Sequence, residues 1–177
     1  MNLTALQHLI RAATALAEDL DFLVLGSASL LASFPELGEA TAPLASTYDA
    51  DICPEPFDEL TGTMLEEALG EDRAYFRRHG YHADVLRSSI LDTLPSGWRG
   101  RLVDVPECPK AKALDPIDLA AIKLQVARPK DLDLVRMLIS TGRIPAEEIS
   151  VRLDALDIPV EQKPRVLANL RSVTSSS

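Results

Sequence analysis

Two aspartates one residue apart, Asp49 and Asp51, are the side chains whose types and spacing most directly predict chemistry. If residues 47–52 form a strand, alternate residues share a face, so both carboxylates lie together while Tyr48, Ala50 and Ile52 face a core. Neighbouring carboxylates repel each other unless a cation lies between them. Oxygen ligands suit a hard cation such as Mg²⁺, and the pair therefore predicts a divalent-metal site.

A glycine and a serine follow an apolar run earlier in the chain. The run, Phe22 to Leu25, predicts a short buried strand, and Gly26-Ser27 lies between this strand and a helix-like segment. Backbone N–H groups at such a junction can hold phosphate. A Gly-Ser step is often only a turn, and Asp-x-Asp is often only a solvated surface. The two in this order favour a site that binds phosphate and a metal ion.

The surrounding pattern predicts the elements that must position these residues. Apolar residues recur at helical or alternating spacing along most of the chain. Predicted helices cover residues 2–19, 27–33, 57–69, 71–79, 115–127, 132–140, 146–156 and 160–170, and predicted strands cover residues 22–25, 49–53, 81–86 and 98–105, with a connector at 107–114. The predicted fold is α+β (α/β-like), a mixed β-sheet flanked by helices, with a C-terminal helical section. The sheet section covers residues 1–114, the helical section packed on it covers residues 115–172, and a disordered tail covers residues 173–177.

Composition narrows the class of protein. The chain has 177 residues, enough for one domain or for a catalytic core with a helical appendage. Its formal net charge of -9 argues against non-specific binding to nucleic acid as the main function. Two cysteines without a CxxC motif argue against a disulfide framework and against a zinc site. The first 20 residues are amphipathic and charged, and no apolar stretch is long enough to span a bilayer, so we predict a cytoplasmic protein without a membrane partner.

Three longer segments carry a resemblance to a known family. They are Gly80 to Leu86 (GYHADVL), Leu94 to Leu102 (LPSGWRGRL) and Asp118 to Val135 (DLAAIKLQVARPKDLDLV), and Lys123 to Asp131 is the most group-specific stretch. Together with the Gly-Ser and Asp-x-Asp steps, they resemble the minimal nucleotidyltransferases related to AbiEii-type toxins, and more closely an uncharacterised bacterial group with the same plan. The resemblance covers residues 22–142 and implies a nucleotidyltransferase-type sheet, with residues 1–114 as the nucleotidyltransferase core.

The resemblance implies metal-dependent nucleotidyl transfer. Asp49 and Asp51 would hold two Mg²⁺ ions between them. Asp84, on the predicted strand at residues 81–86, would be the third carboxylate, would ligate one of the ions and would take the proton of the acceptor hydroxyl. All three are thus metal ligands and catalytic residues in this interpretation.

The resemblance also implies a nucleotide site. Gly26 would let the backbone approach the phosphates, because a Cβ would obstruct them, and Ser27 would donate a hydrogen bond to the phosphate chain. Lys123 would act catalytically as a positive charge on the phosphate. Arg128 and Asp131 complete the motif, and Asp131 would orient Lys123 or Arg128 rather than a metal.

The activity implied is transfer of a nucleoside monophosphate from a nucleoside triphosphate to a hydroxyl acceptor, which is RNA, protein or a small molecule. One form of this activity is the toxin of a toxin–antitoxin pair, for which an antitoxin protein would be a partner. Two alternatives stay open. One is a catalytically inactive nucleotidyltransferase fold that binds nucleotide or a partner protein, and the other is an aminoglycoside-type transferase that acts on a small molecule.

The same residues also have structural interpretations. Asp131 begins a helix after Pro129 and suits the helix dipole, and Lys123 on an apolar helix can extend its amine to solvent. Asp84 is equally common as a surface residue, and His82 is more often a packed or exposed histidine than a catalyst, so it is left out of the predicted site. Six arginines between residues 73 and 101 form either a solvated face with ion pairs or a patch that meets phosphate.

Overall fold

The computed structural model describes residues 1–175 and divides the chain into two compact units. The first, here called the sheet unit, comprises Met1–Ile90 and Arg101–Asp115. The second, here called the helical unit, comprises Leu91–Gly100 and the chain from Pro116 onward. The main division therefore falls one residue from the boundary predicted after residue 114. The sequence pattern did not indicate that residues 91–100 belong with the C-terminal helices.

The sheet unit contains five strands and four helices within the described residues. Helix α1 is capped by Asn2, whose side-chain oxygen accepts a 2.9 Å hydrogen bond from the Ala5 N–H, and helix α4 ends at Gly80 in the left-handed conformation. The elements in chain order are α1 (Leu3–Leu16), β1 (Asp21–Val24), α2 (Leu30–Ser33), β2 (Asp49–Glu55), α3 (Glu59–Leu69), α4 (Ala74–His79), β3 (His82–Val85), β4 (Val103–Asp104) and β5 (Ala111–Ala113).

The strands form one mixed sheet in the order β3-β2-β1-β5-β4. Strand β1 is antiparallel to β2 and parallel to β5, while β2 is parallel to β3 and β4 is antiparallel to β5. A mixed sheet with helices confirms the coarse prediction of an α+β (α/β-like) fold.

One face of this sheet forms a core with the helices. Phe22, Val24, Ala50 and Ile52 share that face and are almost completely buried. Helix α1 contacts β1 and α3 contacts β3, and α1 adds a stripe of buried residues at Leu6, Leu9, Ile10 and Ala13. Each large apolar side chain buried here stabilises the fold by about 1.5–3 kcal/mol. The core thus fixes which residues of β2 face away from the helices.

Two predictions for the sheet are wrong. Residues 98–105 were predicted to be a strand, but Trp98–Arg101 is a 3-10 helix and only Val103–Asp104 pairs in the sheet. The predicted connector at 107–114 contains β5, which lies between β1 and β4. Glycines at positions 97 and 100 disfavour an extended strand around Trp98, and β5 is too short to produce a readable alternation.

The helical unit packs four helices around its own core: α5 (Pro116–Val126), α6 (Pro129–Ser140), α7 (Ala146–Asp154) and α8 (Lys163–Thr174). Helix α5 contacts the other three. Its core includes Leu124, Leu138, Ile149 and Val166. The inserted segment joins this unit through Trp98, which is buried, and through a 2.9 Å hydrogen bond from the Ser96 N–H to the Ala155 carbonyl.

The C-terminal end is ordered further than the sequence predicted. Helix α8 continues through Thr174, and Val173 within it is buried, although a disordered tail was predicted from residue 173. Ser176 and Ser177 lie outside the described residues. None of the helices between residues 1 and 175 combines the length and the apolar character needed to cross a membrane.

Candidate functional site

Strands β2 and β3 bring together acidic side chains on the sheet face opposite Ala50 and Ile52. In their parallel register, Asp51 is the partner of Asp84 and Asp49 is the partner of His82. Register partners point to the same side of a sheet, and alternate residues of one strand do so as well. Asp49, Asp51, His82 and Asp84 therefore share one face, here called the carboxylate face.

The register places Asp51 and Asp84 directly side by side, because neighbouring strands are about 4.8 Å apart. Asp49 and Asp51 are partly accessible, and 48% of the Asp84 side chain is exposed. The residues between them along β2 are different: Ala50 and Ile52 are fully buried on the helix side. The alternation at residues 49–52 therefore produces the predicted division into a core face and an acidic face. The prediction is wrong for Tyr48, which precedes β2 and is 58% exposed instead of facing the core.

Gly26 lies against the carboxylate of Asp51. A Cβ at this position would overlap Oδ2 of Asp51 and lie 2.8 Å from its Cγ. The glycine also has φ +55 and ψ -162, a conformation that side-chain-bearing residues rarely adopt. The Leu25 N–H donates a 2.8 Å hydrogen bond to the Asp51 carbonyl, so the end of β1 and the middle of β2 are joined at this point. Two independent constraints, backbone conformation and contact with Asp51, require glycine here.

The turn after Gly26 is held by a buried serine. The hydroxyl of Ser29 donates a 2.8 Å hydrogen bond to the Gly26 carbonyl, and Ser29 is fully buried. Ser27 begins the 3-10 turn at Ser27–Ser29 and is partly accessible. It is the serine predicted to donate a hydrogen bond to the phosphate chain. The turn thus has one serine that fixes its shape and another that stays accessible next to the carboxylate face.

His82 belongs to the carboxylate face as well, although the sequence does not predict it as a site residue. It is only 7% exposed, and its Nε2 lies 3.3 Å from Oδ1 of Asp84. The ring of Phe76, from α4, packs edge-on against the imidazole at a centroid distance of 5.1 Å. The Nδ1 atom of His82 is buried and has no hydrogen-bond partner among the described residues. The signal available in the sequence was the alternation of His82 with Asp84 on one strand face.

The donor set of the carboxylate face suits a hard divalent cation. Mg²⁺ is usually held by one or two carboxylates together with water and substrate phosphates, rather than by a complete protein cage. Asp51 and Asp84, side by side, provide such a pair. Within residues 1–175 no group of three or more His, Cys, Asp or Glu side chains is gathered closely enough to enclose a metal. The arrangement therefore fits an open site, completed by ligands from outside the chain.

The other predicted site residues form an ion cluster within the helical unit. The Lys123 ammonium, on α5, lies 2.7 Å from Oδ1 of Asp131, which is in the first turn of α6. The Arg128 Nε lies 2.6 Å from Oδ2 of Asp131, and its Nη2 donates a 3.2 Å hydrogen bond to Oδ1. Asp131 is 1% exposed and Lys123 is 7% exposed. Asp131 thus contacts both Lys123 and Arg128, the two cations of which it was predicted to orient one.

The cluster changes the acidity of Asp131. Burial by itself raises the pKa of this carboxyl, but hydrogen bonds from Arg128 and Lys123 and their positive charges outweigh burial and leave the pKa below its usual value. The carboxylate is therefore firmly ionised at neutral pH. A second buried carboxylate of this unit, Asp118, lies 3.0 Å from Nε of Arg152.

The structure thus sorts the predicted site residues into two groups. Gly26, Ser27, Asp49, Asp51 and Asp84 all belong to the sheet unit. Lys123, Arg128 and Asp131 all belong to the helical unit. Comparison of the chain with models of protein families, with curated proteins and with solved structures gave no match. What each group can bind or catalyse is therefore inferred from the contacts described above.

Proposed function

We propose that the protein is a metal-dependent nucleotidyltransferase with a nucleotidyltransferase-type sheet. It would move a nucleoside monophosphate from a nucleoside triphosphate to a hydroxyl acceptor, which is RNA, protein or a small molecule. The observation that carries the proposal is the in-register pairing of Asp51 with Asp84, with Asp49 on the same face and Gly26 against Asp51. Bacterial minimal nucleotidyltransferases, which the sequence resembles, use carboxylates on neighbouring strands in this order.

Electrostatics support the proposal. Carboxylates that share one strand face repel each other, and a bound divalent cation relieves that repulsion. Asp49 and Asp51 would hold Mg²⁺ with Asp84, and the ions would neutralise the triphosphate and activate the acceptor hydroxyl. The residues of the chain fit that task because they offer hard oxygen donors and leave coordination positions for phosphate and water.

The residues on and beside the carboxylate face would also accept the proton of the acceptor and hold the phosphate chain during the transfer. The acceptor oxygen forms a bond to the α-phosphorus, the bond between that phosphorus and the bridging oxygen to the β-phosphate breaks, and pyrophosphate leaves. Asp84 would accept the hydroxyl proton and pass it to water, since it is the most accessible carboxylate of the face. The backbone around Gly26 and the hydroxyl of Ser27 would hold the phosphate chain.

The roles of the helical unit follow from its ion cluster. Asp131 would position Lys123 and Arg128, and either cation would contribute positive charge toward phosphate. In this proposal Lys123 is a nucleotide-binding residue that Asp131 positions. A toxin–antitoxin role and an antitoxin partner stay predictions from the resemblance alone.

A labelling experiment tests the proposal. The full chain is incubated with α-³²P-labelled nucleoside triphosphates, Mg²⁺, total cellular RNA and a protein extract, and label transfer is measured on each acceptor class. We expect transfer that requires Mg²⁺ and that falls by about 10²-fold or more in Asp51→Asn and Asp84→Asn, the size associated with loss of one electrostatic stabiliser.

Asp104→Asn is the matched control. Asp104 lies on β4 of the same sheet and pairs with Lys112 at 2.6 Å. Its loss removes a carboxylate from the sheet without touching β2 or β3, so transfer is expected to stay near the wild-type rate. Absence of transfer to every acceptor class, or equal transfer by wild type and Asp51→Asn, would contradict the proposal.

A second candidate is a protein of the same fold that binds nucleotide without turnover. It is favoured by one observation: within residues 1–175 the carboxylates do not gather into a closed group of three. Calorimetry with a nucleoside triphosphate, with and without Mg²⁺, separates the two candidates. Metal-independent binding together with no label transfer would favour this second function.

A further inference from the structure

We infer that a cleft beside the first turn of α1 binds a small phosphate monoester. The cleft measures about 380 Å³, and the residues that line it include Asn2, Thr4, His8, Arg11, His79 and Tyr81. This volume lies within the range of about 300–1,000 Å³ that small-molecule sites occupy. The site belongs entirely to the sheet unit and does not depend on the proposed transferase activity.

His8, His79 and Tyr81 line one side of the cleft, and Tyr75 packs against their rings. His8, from α1, stacks on Tyr75 at a centroid distance of 5.7 Å and lies 4.7 Å from the ring of His79. Tyr81 meets His8 edge-on at 6.1 Å. Helix α4 supplies Tyr75 and His79, and Tyr81 immediately precedes β3. Three separate elements thus converge to place imidazole and phenol groups at one spot.

The hydrogen bonds within this cluster of rings determine which nitrogen and oxygen atoms can donate to a ligand in the cleft. The hydroxyls of Tyr75 and Tyr81 both lie 2.8 Å from Nδ1 of His8. Burial, followed by the proximity of Tyr81, raises the pKa of Tyr75 above its usual value, so its hydroxyl stays protonated and can donate. A neutral imidazole that accepts at Nδ1 carries its proton on Nε2. In that tautomer, His8 has an N–H donor at Nε2 for a ligand.

The charge of the cleft favours an anion. Arg11 is exposed and always protonated, and none of the described residues that line the cleft carries a carboxylate. Burial first, and then the neighbouring His8 and Arg78, lower the pKa of His79, so the cationic Arg78 lies close to this side of the cleft. The first turn of α1, a 14-residue helix, adds the positive end of its dipole. Such a region is unusual in a chain with a net charge of -9.

A phosphate monoester matches these groups better than a metal ion or a carboxylate. Guanidinium and imidazole N–H groups make short, charge-assisted hydrogen bonds to phosphate oxygens, and a dianion accepts several of them at once. Two imidazoles alone would bind a transition metal, but the arginine beside them opposes a cation. The tyrosine and histidine rings leave room for the organic part of the ligand.

Calorimetry and NMR on the full chain test the inference. The probes are ribose 5-phosphate, adenosine monophosphate, inorganic phosphate and adenosine, all in EDTA so that a metal-dependent site cannot contribute. We expect the two monoesters to bind and adenosine not to bind. The imidazole ¹⁵N resonances of His8 and His79 should shift on titration with the monoesters, while that of His82 should not.

Variants locate the site. Arg11→Gln and His79→Gln should each weaken monoester binding by about tenfold, whereas Arg171→Gln, an exposed arginine that does not line the cleft, and Asp51→Asn should leave it within about twofold. Tyr81→Phe retains the ring and should have a smaller effect than Arg11→Gln. Circular dichroism shows whether each variant is folded before it is titrated.

Three results would overturn the inference. The first is monoester binding that Arg11→Gln and His79→Gln leave unchanged, and the second is no binding of either monoester. The third is binding of Zn²⁺ or Ni²⁺ in the absence of EDTA that shifts both imidazoles while the monoesters do not, which would make the cleft a metal site. Because every monoester titration omits Mg²⁺ and triphosphate, failure here leaves the transferase proposal standing, and failure of label transfer leaves the cleft standing.

Discussion

The two units treat their carboxylates in opposite ways. On the carboxylate face of the sheet unit, Asp51 and Asp84 are register partners, and the imidazole of His82 lies 3.3 Å from Asp84. In the helical unit, Asp131 is almost completely buried and is held by both Lys123 and Arg128. Neighbouring carboxylates on an accessible face are the arrangement that the proposed cation would relieve, whereas a carboxylate enclosed by bases has its charge balanced within the protein.

The difference matters because the two arrangements respond differently to mutation. Removing one member of a buried ion cluster leaves the opposite charge buried without compensation, which is costly. Removing one of several carboxylates on an accessible face relieves repulsion and costs little stability. Stability measurements can therefore test the comparison independently of any enzymatic assay.

Asp131→Ala should produce the largest loss of stability. The substitution leaves the Lys123 ammonium buried without its carboxylate, and we expect the free energy of unfolding to fall by about 3–5 kcal/mol in urea denaturation. Asp133→Ala is the control, because Asp133 pairs with Arg136 one turn away but its side chain is 73% exposed. Its loss should cost no more than about 1 kcal/mol. Equal effects of the two substitutions would show that the cluster does not stabilise the helical unit.

Gly26→Ala should have the next largest effect. An alanine would have to adopt φ +55 and ψ -162, which costs about 1–3 kcal/mol, and its Cβ would also overlap the Asp51 carboxylate. Gly80→Ala separates the two causes. Gly80 also has a positive φ, 78°, but a Cβ there would meet nothing within 4 Å, so only the conformational cost of about 1–2 kcal/mol applies.

A double variant tests the contact between Gly26 and Asp51. Asp51→Ala removes the Oδ2 and Cγ atoms that the new Cβ would meet. Gly26→Ala should therefore destabilise an Asp51→Ala background less than it destabilises the wild type, and urea denaturation of all four proteins gives the coupling energy. Strict additivity would mean that the backbone conformation alone requires glycine at this position.

These expectations show which parts of the site were accessible from sequence. Asp49 and Asp51 were placed on one face because strand side chains alternate, and apolar Ala50 and Ile52 fixed which face is buried. Asp84 was placed on a strand for the same reason, but its pairing with Asp51 depends on the order of strands in the sheet. Strand order is set by long-range packing, which one sequence does not display.

Other features depend on contacts between distant residues. His82 could not be recognised as buried, because its cover is Phe76 from another element. Strand β5 was missed because three residues containing a lysine give no readable periodicity, although β1 pairs with them in register. The Lys123–Asp131 contact was expected only from the family resemblance, since it joins two helices through the bend at Pro129.

Lowering the pH should destabilise the helical unit by protonating Asp131. We expect a smaller loss of stability than that caused by Asp131→Ala. The pKa of Asp131 is lowered in the folded state relative to its ordinary value of 3.8, so the folded protein holds the ionised form more tightly than the unfolded chain does. The resulting stabilisation is present above pH 3.8, and it is lost as the pH falls through the lowered folded-state pKa. The difference in unfolding free energy between wild type and Asp131→Asn should therefore shrink as the pH falls from about 6 to about 3. A difference that stays constant over this range would contradict the assignment of ionised Asp131 to the cluster.

Asp84→Asn should have the smallest effect on stability, and this is the sharpest contrast with the helical unit. Nearly half of the Asp84 side chain is exposed, at 48%, and solvent on this side screens its contact with the buried His82, so the free energy of unfolding should change by less than about 1 kcal/mol. Asparagine has almost the same shape, so the strand pairing with Asp51 is retained. Asp131→Asn, the same chemical change in the enclosed cluster, should be clearly destabilising when both variants are unfolded in urea at neutral pH. If Asp84→Asn destabilised the protein as much as Asp131→Asn, Asp84 would be a structural residue like Asp131, and the carboxylate face would lose its distinction as a site prepared for an external cation.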